Sequence, residues 1–229
     1  MARLPRLALA GEAHLAILPG RRAQPLCVDD EDRRRFVDAL RDAAGQYRVA
    51  LHAYTLLDDQ CWLFATPADA AGLGACIQAT GRRYVASFHR RHGGSGPLWA
   101  GRFRAGIVQP GTWSRLATLA VDLLAVRTGH AASAAEYPWS SVRQHLGLAR
   151  DPLVTVGPAY WTLGNTPFDR EAAYRALIDE GLTDAQWRRL EDAARHGWAV
   201  GDPDYLTELG RGIERPLAPR PRGRPRKGM

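Results

Sequence analysis

Residues 49–66 read VALHAYTLLDDQCWLFAT, in which two apolar runs lie on either side of a polar pair. Val49, Leu51 and Ala53 alternate with their neighbours in the two-residue period of a β-strand that buries one face. Asp58 and Asp59 then provide a polar turn, and residues 61–66 form a second apolar run. Two such runs joined by a short polar turn predict an antiparallel β-hairpin.

The segments on either side of the hairpin are predicted to form further strands and helices. A short apolar strand at 13–18 is followed by a helix that Asp29 and Asp30 can cap. After the hairpin come a longer helix, a strand at 103–108 and an apolar helix at 113–127. The order β-α-β-β-α-β predicts an α+β, ferredoxin-like split βαβ core: an antiparallel sheet with helices on one face and an extra helix packed against it.

The C-terminal third has a different pattern, with helices alone. Pro167 opens one helix, and Thr183-x-x-Gln186 is a capping box for another. The last residues are rich in Pro, Arg and Gly, a composition that cannot build a core. We therefore expect a core domain over 1–148, a helical extension over 149–212 and a disordered basic tail over 213–229.

The composition excludes several classes of protein. The chain has 229 residues, of which 45% are hydrophobic and 24% are charged, so it is not a globally disordered chain. Its three cysteines have no close Cys or His partner in the sequence, which excludes a disulfide framework and a zinc knuckle. No apolar run approaches the ~20 residues of a membrane span. We expect a cytoplasmic protein that contacts no membrane.

The net charge of +7 is concentrated in two segments. Residues 81–104 and residues 211–229 each carry a net charge of +6, which leaves −5 for the rest of the chain. Such clustering is typical of a protein that binds a polyanion, and we expect a nucleoid-associated DNA-binding protein. The candidate DNA-binding residues of the first segment are Arg82, Arg83, Arg90, Arg91, Arg102 and Arg104.

The spacing of these arginines is interpreted as one continuous surface. Four of them lie about two turns apart on the predicted helix and are assigned to one of its faces, and the other two alternate on the following strand. The aromatic residues Tyr84, Phe88, Trp99 and Phe103 lie among them. Aromatic faces between arginines suit unpaired DNA bases, although a place in the core is the simpler interpretation of Phe88 and Phe103.

The tail contains Pro221-Arg222-Gly223-Arg224-Pro225-Arg226-Lys227, which matches an AT-hook core. The prolines hold the backbone extended and the glycine lets it approach the groove floor, so the arginines can enter a narrow A·T minor groove. We expect Arg222, Arg224, Arg226 and Lys227 to bind A·T-rich duplex DNA. The alternative is a general basic tail, and both interpretations predict steep salt dependence.

Five short motifs occur in order along the chain. They are His52-Ala53-Tyr54-Thr55-Leu56-Leu57, Gly81-Arg82-Arg83-Tyr84, Phe88-His89-Arg90-Arg91-His92-Gly93, Gly101-Arg102-Phe103-Arg104 and Tyr137-Pro138-Trp139-Ser140-Ser141. Together they resemble the REP-associated tyrosine transposases, bacterial relatives of the single-tyrosine HUH transposases. The resemblance implies a ferredoxin-like core, binding of hairpin and single-stranded DNA, and cleavage by a tyrosine. It also implies a divalent metal such as Mg²⁺, held by a His-hydrophobic-His pair.

The residues that would carry this chemistry are replaced. The two histidine ligands of the family correspond to Gln60 and Trp62, and its catalytic tyrosine corresponds to Ala120. Tryptophan cannot coordinate a metal, and alanine carries no nucleophile. We therefore expect no catalytic residue, no metal ligand and no cofactor, in a transposase-like protein with a degenerate active site.

Two other interpretations stay open. Asp59 and Asp122, with His14 and His52, are candidates for a rebuilt metal site in an active single-strand transposase or endonuclease. The domain is alternatively an interaction module with an incidental basic tail. Tyr84 is the rival nucleophile, and we interpret it as a stacking or packing residue. The main expectation is a monomeric or homodimeric protein that binds hairpin or single-stranded DNA without cutting it.

Overall fold

The computed structural model describes residues 7–22 and 24–218, so tail residues Arg222, Arg224, Arg226 and Lys227 lie outside the described part of the chain. The strands are β1 (Ala13–Pro19), β2 (Val49–Leu56), β3 (Gln60–Pro67) and β4 (Arg104–Val108). They form one sheet in the order β2-β3-β1-β4, in which all neighbours are antiparallel. The predicted α+β, ferredoxin-like split βαβ core is thereby confirmed.

The described residues contain the predicted helices in order, except that the helix predicted at 113–127 is divided in two, together with short helices that the sequence did not predict. The helices are α1 (Asp30–Gln46), α2 (Gly72–His92), α3 (Thr112–Asp122), α4 (Leu124–Arg127), α5 (Val142–His145), α6 (Pro158–Trp161), α7 (Pro167–Glu180), α8 (Asp184–His196) and α9 (Pro203–Leu209). The capping predictions are confirmed for α1 and α8. The Asp29 carboxylate accepts from the backbone N–H of Asp32 at 2.9 Å, and Thr183 and Gln186 form a capping box.

Helices α1 and α2 cover one face of the sheet, as the sequence predicts. They pack together and bury Phe36, Leu40 and Tyr84 against the inward side chains of the strands, including Leu18 and Leu63. Because strand side chains alternate between faces, the residues between these positions point to the other side of the sheet.

A β-bulge in β2 changes the alternation expected there. The register shifts between Leu51 and Ala53, so Leu51 belongs to the first apolar cluster and Ala53 to the second. The prediction that these two residues share a face is therefore wrong, because one extra residue in a strand reverses the side of everything that follows it.

The second face of the sheet is also covered by helices. α3, the predicted extra helix, and α8 from the C-terminal extension pack there with Ile17, Trp62 and Phe64. α8 approaches β4 so closely that a Cβ on Gly106 would lie 2.7 Å from the carbonyl oxygen of Ala193. The sheet is therefore buried on both sides.

Both edges of the sheet carry further chain. At the β2 edge, the N–H of Ser141 donates to the carbonyl of Tyr54 at 2.9 Å. At the β4 edge, Val200 forms a parallel bridge with Val108, and its N–H donates to the carbonyl of Ile107 at 2.8 Å. Within the described residues, no helix combines the length and the apolar character that crossing a bilayer requires.

Candidate nucleic-acid interface

The four arginines of α2 do not lie on one face of the helix. Arg82 and Arg91 are nine residues apart, which is about two and a half turns, so they project to opposite sides. The interpretation of a single stripe is therefore wrong, and the structure divides the basic segment into two groups.

The first group faces α1 and is paired with carboxylates. Arg83 Nη1 lies 3.1 Å from Asp42 Oδ2. Arg91 binds Asp29 at 2.8 Å and also donates to the buried carboxylate of Asp32. The hydrogen bond from Arg91 holds the pKa of Asp29 below its ordinary value. Arg83 and Arg91 therefore serve helix packing, and their charge is largely compensated.

The second group is exposed and lacks carboxylate partners. Arg82, Arg90 and Arg102 form no ion pair with any residue between 7 and 22 or between 24 and 218. Arg104 is also exposed, and it donates to the backbone carbonyl of Arg195 at 3.2 Å. The positive charge that reaches solvent from this segment comes mainly from these four side chains.

A groove runs between α2 and residues 97–103. Its volume is about 920 Å³, and both Arg82 and Arg102 line it. The remaining lining is mostly apolar or small: Leu18, Ala71, Gly74, Ala75, Ile77, Gln78, Gly81, Val85, Ala86, Pro97, Trp99, Gly101 and Phe103. A largely apolar floor thus lies between two exposed cations.

Backbone pairing holds the far wall of this groove and places Arg21, which the sequence did not indicate as a site residue, beside it. Gly20 and Trp99 form an antiparallel bridge, and the N–H of Arg21 donates to the carbonyl of Leu98 at 3.0 Å. The exposed side chain of Arg21 reaches the carbonyl of Pro97 at 3.5 Å. Only the pairing between chain segments 76 residues apart reveals that Arg21 lies beside the groove.

The aromatic residues of the basic segment separate into two kinds. Tyr84 and Phe88 are buried in the first apolar cluster, and the Tyr84 hydroxyl donates to the carbonyl of Leu26. Burial raises the pKa of Tyr84, which makes it unsuited to act as a nucleophile. Trp99 and Phe103 are only partly buried: both pack against the first apolar cluster and also line the groove.

Trp62 and Ala120, two of the positions that the resemblance aligns with catalytic residues, lie on the second face of the sheet. Trp62 is 2% exposed and packs edge-on against Trp187 of α8, with ring centroids 6.3 Å apart. The indole N–H of Trp62 donates to the side-chain oxygen of Gln60 at 2.8 Å. Ala120 is fully buried in the same apolar cluster.

The tyrosine hydroxyls elsewhere in the chain are mostly engaged in hydrogen bonds. Six of the seven hydroxyls donate to a protein oxygen, namely those of Tyr54, Tyr84, Tyr137, Tyr160, Tyr174 and Tyr205. Tyr137 is nearest in environment to Ala120 because it shares its apolar cluster, but burial raises its pKa to about 12. The seventh, Tyr47, packs with the cluster on the opposite face.

Asp122, a candidate for a rebuilt metal site, is fully buried and its oxygens are occupied. It accepts hydrogen bonds from Ser141 Oγ at 2.5 Å, His145 Nδ1 at 2.6 Å and Tyr174 Oη at 2.7 Å. These partners lie just before α5, at the end of α5 and in α7. Asp122 therefore joins α3 to the helical extension.

The other candidate ligands are separated or occupied. His52 contacts the carbonyl of Thr155 and the hydroxyl of Thr66, each at 2.8 Å, and His14 contacts the carbonyl of Glu12 at 2.7 Å. Asp59 is exposed in the β2–β3 turn. These residues do not fit a magnesium ion, which prefers several free oxygen ligands in octahedral geometry.

One close group of potential metal ligands occurs in the described part of the chain: Asp29, Asp32 and His92. Arg91 donates to both carboxylates and supplies the positive charge there. We interpret this group as a junction between the start of α1 and the end of α2.

Comparison with known proteins supports the fold. No protein-family model and no curated protein matches the sequence. Among solved structures, the chain has the fold of a transposase, and the match covers 69% of this chain and 93% of the other.

That structure is a REP-associated tyrosine transposase bound to a REP hairpin, with a TM-score of 0.56 and 13% sequence identity. A candidate transposase from Deinococcus radiodurans R1 is 26% identical over 48% of this chain and 88% of its own, with a TM-score of 0.36.

Proposed function

We propose that this protein binds hairpin and single-stranded DNA through the surface around α2 and residues 97–103 and does not cleave it. The observation that carries the proposal is the set of exposed arginines, Arg82, Arg90 and Arg102, which have no carboxylate partner in the described residues. A protein surface that keeps several cations uncompensated attracts a polyanion such as DNA. The transposase of the same fold bound to a REP hairpin supports the choice of DNA hairpins.

The second part of the proposal, that the bound strand stays uncut, is supported by the packed second face. Strand cleavage needs a nucleophile and a charge-stabilising group that reach the scissile phosphate from one accessible site. Ala120 and Trp62 offer neither group, and Trp187 of α8 packs against Trp62. We propose that the catalytic machinery of the family has been lost while the DNA-binding surface has been kept.

The test uses the full chain and a fluorescent DNA hairpin with single-stranded flanks. We expect the affinity to fall at least about tenfold between about 50 and 200 mM salt. Binding releases counterions from the DNA, and this release is less favourable at higher salt. With Mg²⁺ or Mn²⁺ present, denaturing gels should show intact DNA and no covalent protein–DNA adduct. A metal-dependent cut would contradict the proposal. Its loss in Asp122→Ala, measured where that variant is folded, would support the active transposase with a substituted site.

The tail is proposed to add a second DNA contact at A·T-rich duplex. Replacing Arg222 and Arg224 together by alanine should abolish the preference for A·T-rich over G·C-rich duplex and leave hairpin binding largely intact. Equal loss on all DNAs would show a general basic tail instead. If this variant fails to bind the hairpin even at low salt, the core has no DNA affinity and the interaction-module alternative is favoured. We also propose that the protein is cytoplasmic and associates with the nucleoid.

A further inference from the structure

The groove beside α2 has a lining whose chemical character contact with DNA phosphates alone does not explain. A phosphate-binding surface needs cations and hydrogen-bond donors, but this groove has an apolar floor formed by Ile77, Val85, Trp99 and Phe103. Exposing such a floor to water is unfavourable unless a ligand covers it. The ligand should therefore combine apolar, planar groups with negative charge.

The two walls of the groove place positive charge on both sides of that floor. Arg82 projects from α2 and Arg102 from the facing segment, and both are exposed without a carboxylate partner in the described chain. No Asp or Glu occurs between residues 81 and 104. This arrangement of cation, apolar floor and cation matches a strand in which charged phosphates alternate with unpaired bases.

Trp99 is held in place before any ligand arrives. The bridge between Gly20 and Trp99 fixes its backbone, and its ring lies 6.0 Å from that of Phe36. Its indole also lies close against α2, because a Cβ on Gly81 would lie 3.2 Å from the indole nitrogen. A fixed aromatic ring loses little conformational entropy on binding and makes an effective stacking platform.

We infer that this groove binds unpaired nucleobases of a single strand, with Trp99 and Phe103 as stacking surfaces and Arg82 and Arg102 as phosphate contacts. The inference rests on the proposed function and specifies which part of the DNA occupies the site. Paired bases inside a duplex cannot reach an apolar floor, so a duplex contacts only the arginines. The groove should therefore prefer single strands, or the unpaired flank of a hairpin, over a blunt G·C-rich duplex, which the tail is not expected to favour.

The experiment compares the affinities of the full chain for labelled oligo-dT and for a blunt G·C-rich duplex of equal length. Trp99→Ala should weaken oligo-dT binding about tenfold and leave duplex binding within about twofold, because one stacked base is lost. The matched control is Trp161→Ala, since Trp161 is 55% exposed on α6 and does not line the groove. That control should leave both affinities unchanged.

A second variant guards against a folding defect in Trp99→Ala. Ala86 is exposed on α2 and lines the groove, so Ala86→Glu adds a repelling carboxylate there without disturbing the core. Ala176→Glu, at an exposed position of α7, is its control. Ala86→Glu should weaken oligo-dT binding about tenfold, and its control should not.

Several results would overturn the inference. If both groove variants bind oligo-dT as tightly as the natural chain does, the groove is not the base site, although the proposed function stands. Equal losses for single strand and duplex would indicate a surface that binds phosphate alone. Competition by polyglutamate as strong as that by oligo-dT would show that charge without bases suffices. If the natural chain binds none of these DNAs, the proposed function itself fails.

Discussion

The two faces of the sheet differ in what they leave accessible. Beside α2, Arg82 and Arg102 line an open groove of about 920 Å³, and neither has a carboxylate partner among the described residues. The opposite face is filled where the resemblance to the transposase family would place a metal and a nucleophile. The residues there are Trp62, Ala120 and Trp187. DNA binding and DNA cleavage therefore make separate structural demands. A binding surface needs only exposed charge, whereas a cleaving site needs polar groups that converge at one accessible point.

The packing of the second face can be tested by removing the indole ring of Trp62, which contacts Trp187. Trp62→Ala should lower the free energy of unfolding by about 3–5 kcal/mol, because it leaves a large cavity between the sheet and α8. Urea denaturation at pH 7 measures this loss. Trp161→Ala, on the exposed surface, should lower the same quantity by less than about 1 kcal/mol. Similar losses in the two variants would show that the second face is not tightly packed.

Asp122 distinguishes a structural carboxylate from a metal ligand. Asp122→Ala leaves three buried donors without their acceptor and should lower the free energy of unfolding by about 3 kcal/mol. Asp38→Ala removes an exposed ion pair with Arg41 and should cost less than about 1 kcal/mol. The measurement is thermal unfolding with and without Mg²⁺. Stabilisation of the natural chain by Mg²⁺ that disappears in Asp122→Ala would contradict the structural role.

The groove can be tested by comparing its two arginines, Arg82 and Arg102, with Arg83, which follows Arg82 in the sequence but is paired with a carboxylate. Arg82→Ala combined with Arg102→Ala should weaken hairpin binding about tenfold and lower the salt slope by about one to two, because two phosphate contacts are lost. Arg83→Ala should change the affinity less than threefold, since Arg83 is paired with Asp42. Fluorescence anisotropy at several salt concentrations measures both. If Arg83→Ala has the larger effect, the division of the arginines into two groups is wrong.

A smaller effect concerns two buried histidines of the sheet, His14 in β1 and His52 in β2. Burial lowers the pKa of His52 and of His14, so the unfolded chain binds these protons more readily than the folded chain. Their contribution to stability is therefore complete above the unfolded pKa of about 6.5 and is lost as the pH falls towards the folded values. We expect the urea midpoint to be lower at pH 5 than at pH 7. His52→Asn should reduce this difference, and an unchanged difference would exclude His52 as a source.

Much of the fold follows from local pattern. The period of the hairpin, the capping box before α8 and the alternation of strands and helices specify the α+β core, because each signal depends on residues close together in the chain. The bulge in β2 escapes such analysis, since an extra residue between Leu51 and Ala53 leaves the composition of the strand unchanged.

The candidate site was only partly predictable. The basic segment is visible in the sequence, and the assignment of Gln60, Trp62 and Ala120 to the family's catalytic positions stays a prediction from the resemblance. The role of Trp187 is not, because α8 reaches the second face of the sheet only after the chain has folded back on itself. The place of Phe103 is predictable only in part for a similar reason: its apolar character indicates packing against the core but does not reveal that one side borders a groove.

The order of strands and helices and the location of positive charge follow from residues that are neighbours in the chain. Which of those charges remain available depends on contacts between distant segments. Arg83 meets Asp42 from 41 residues away, and Arg21 comes beside Pro97 from 76 residues away, whereas Arg82 meets no carboxylate among the described residues. The physical reason is that the pairing of two charges depends on their distance in space, which packing between α1, α2 and the sheet sets.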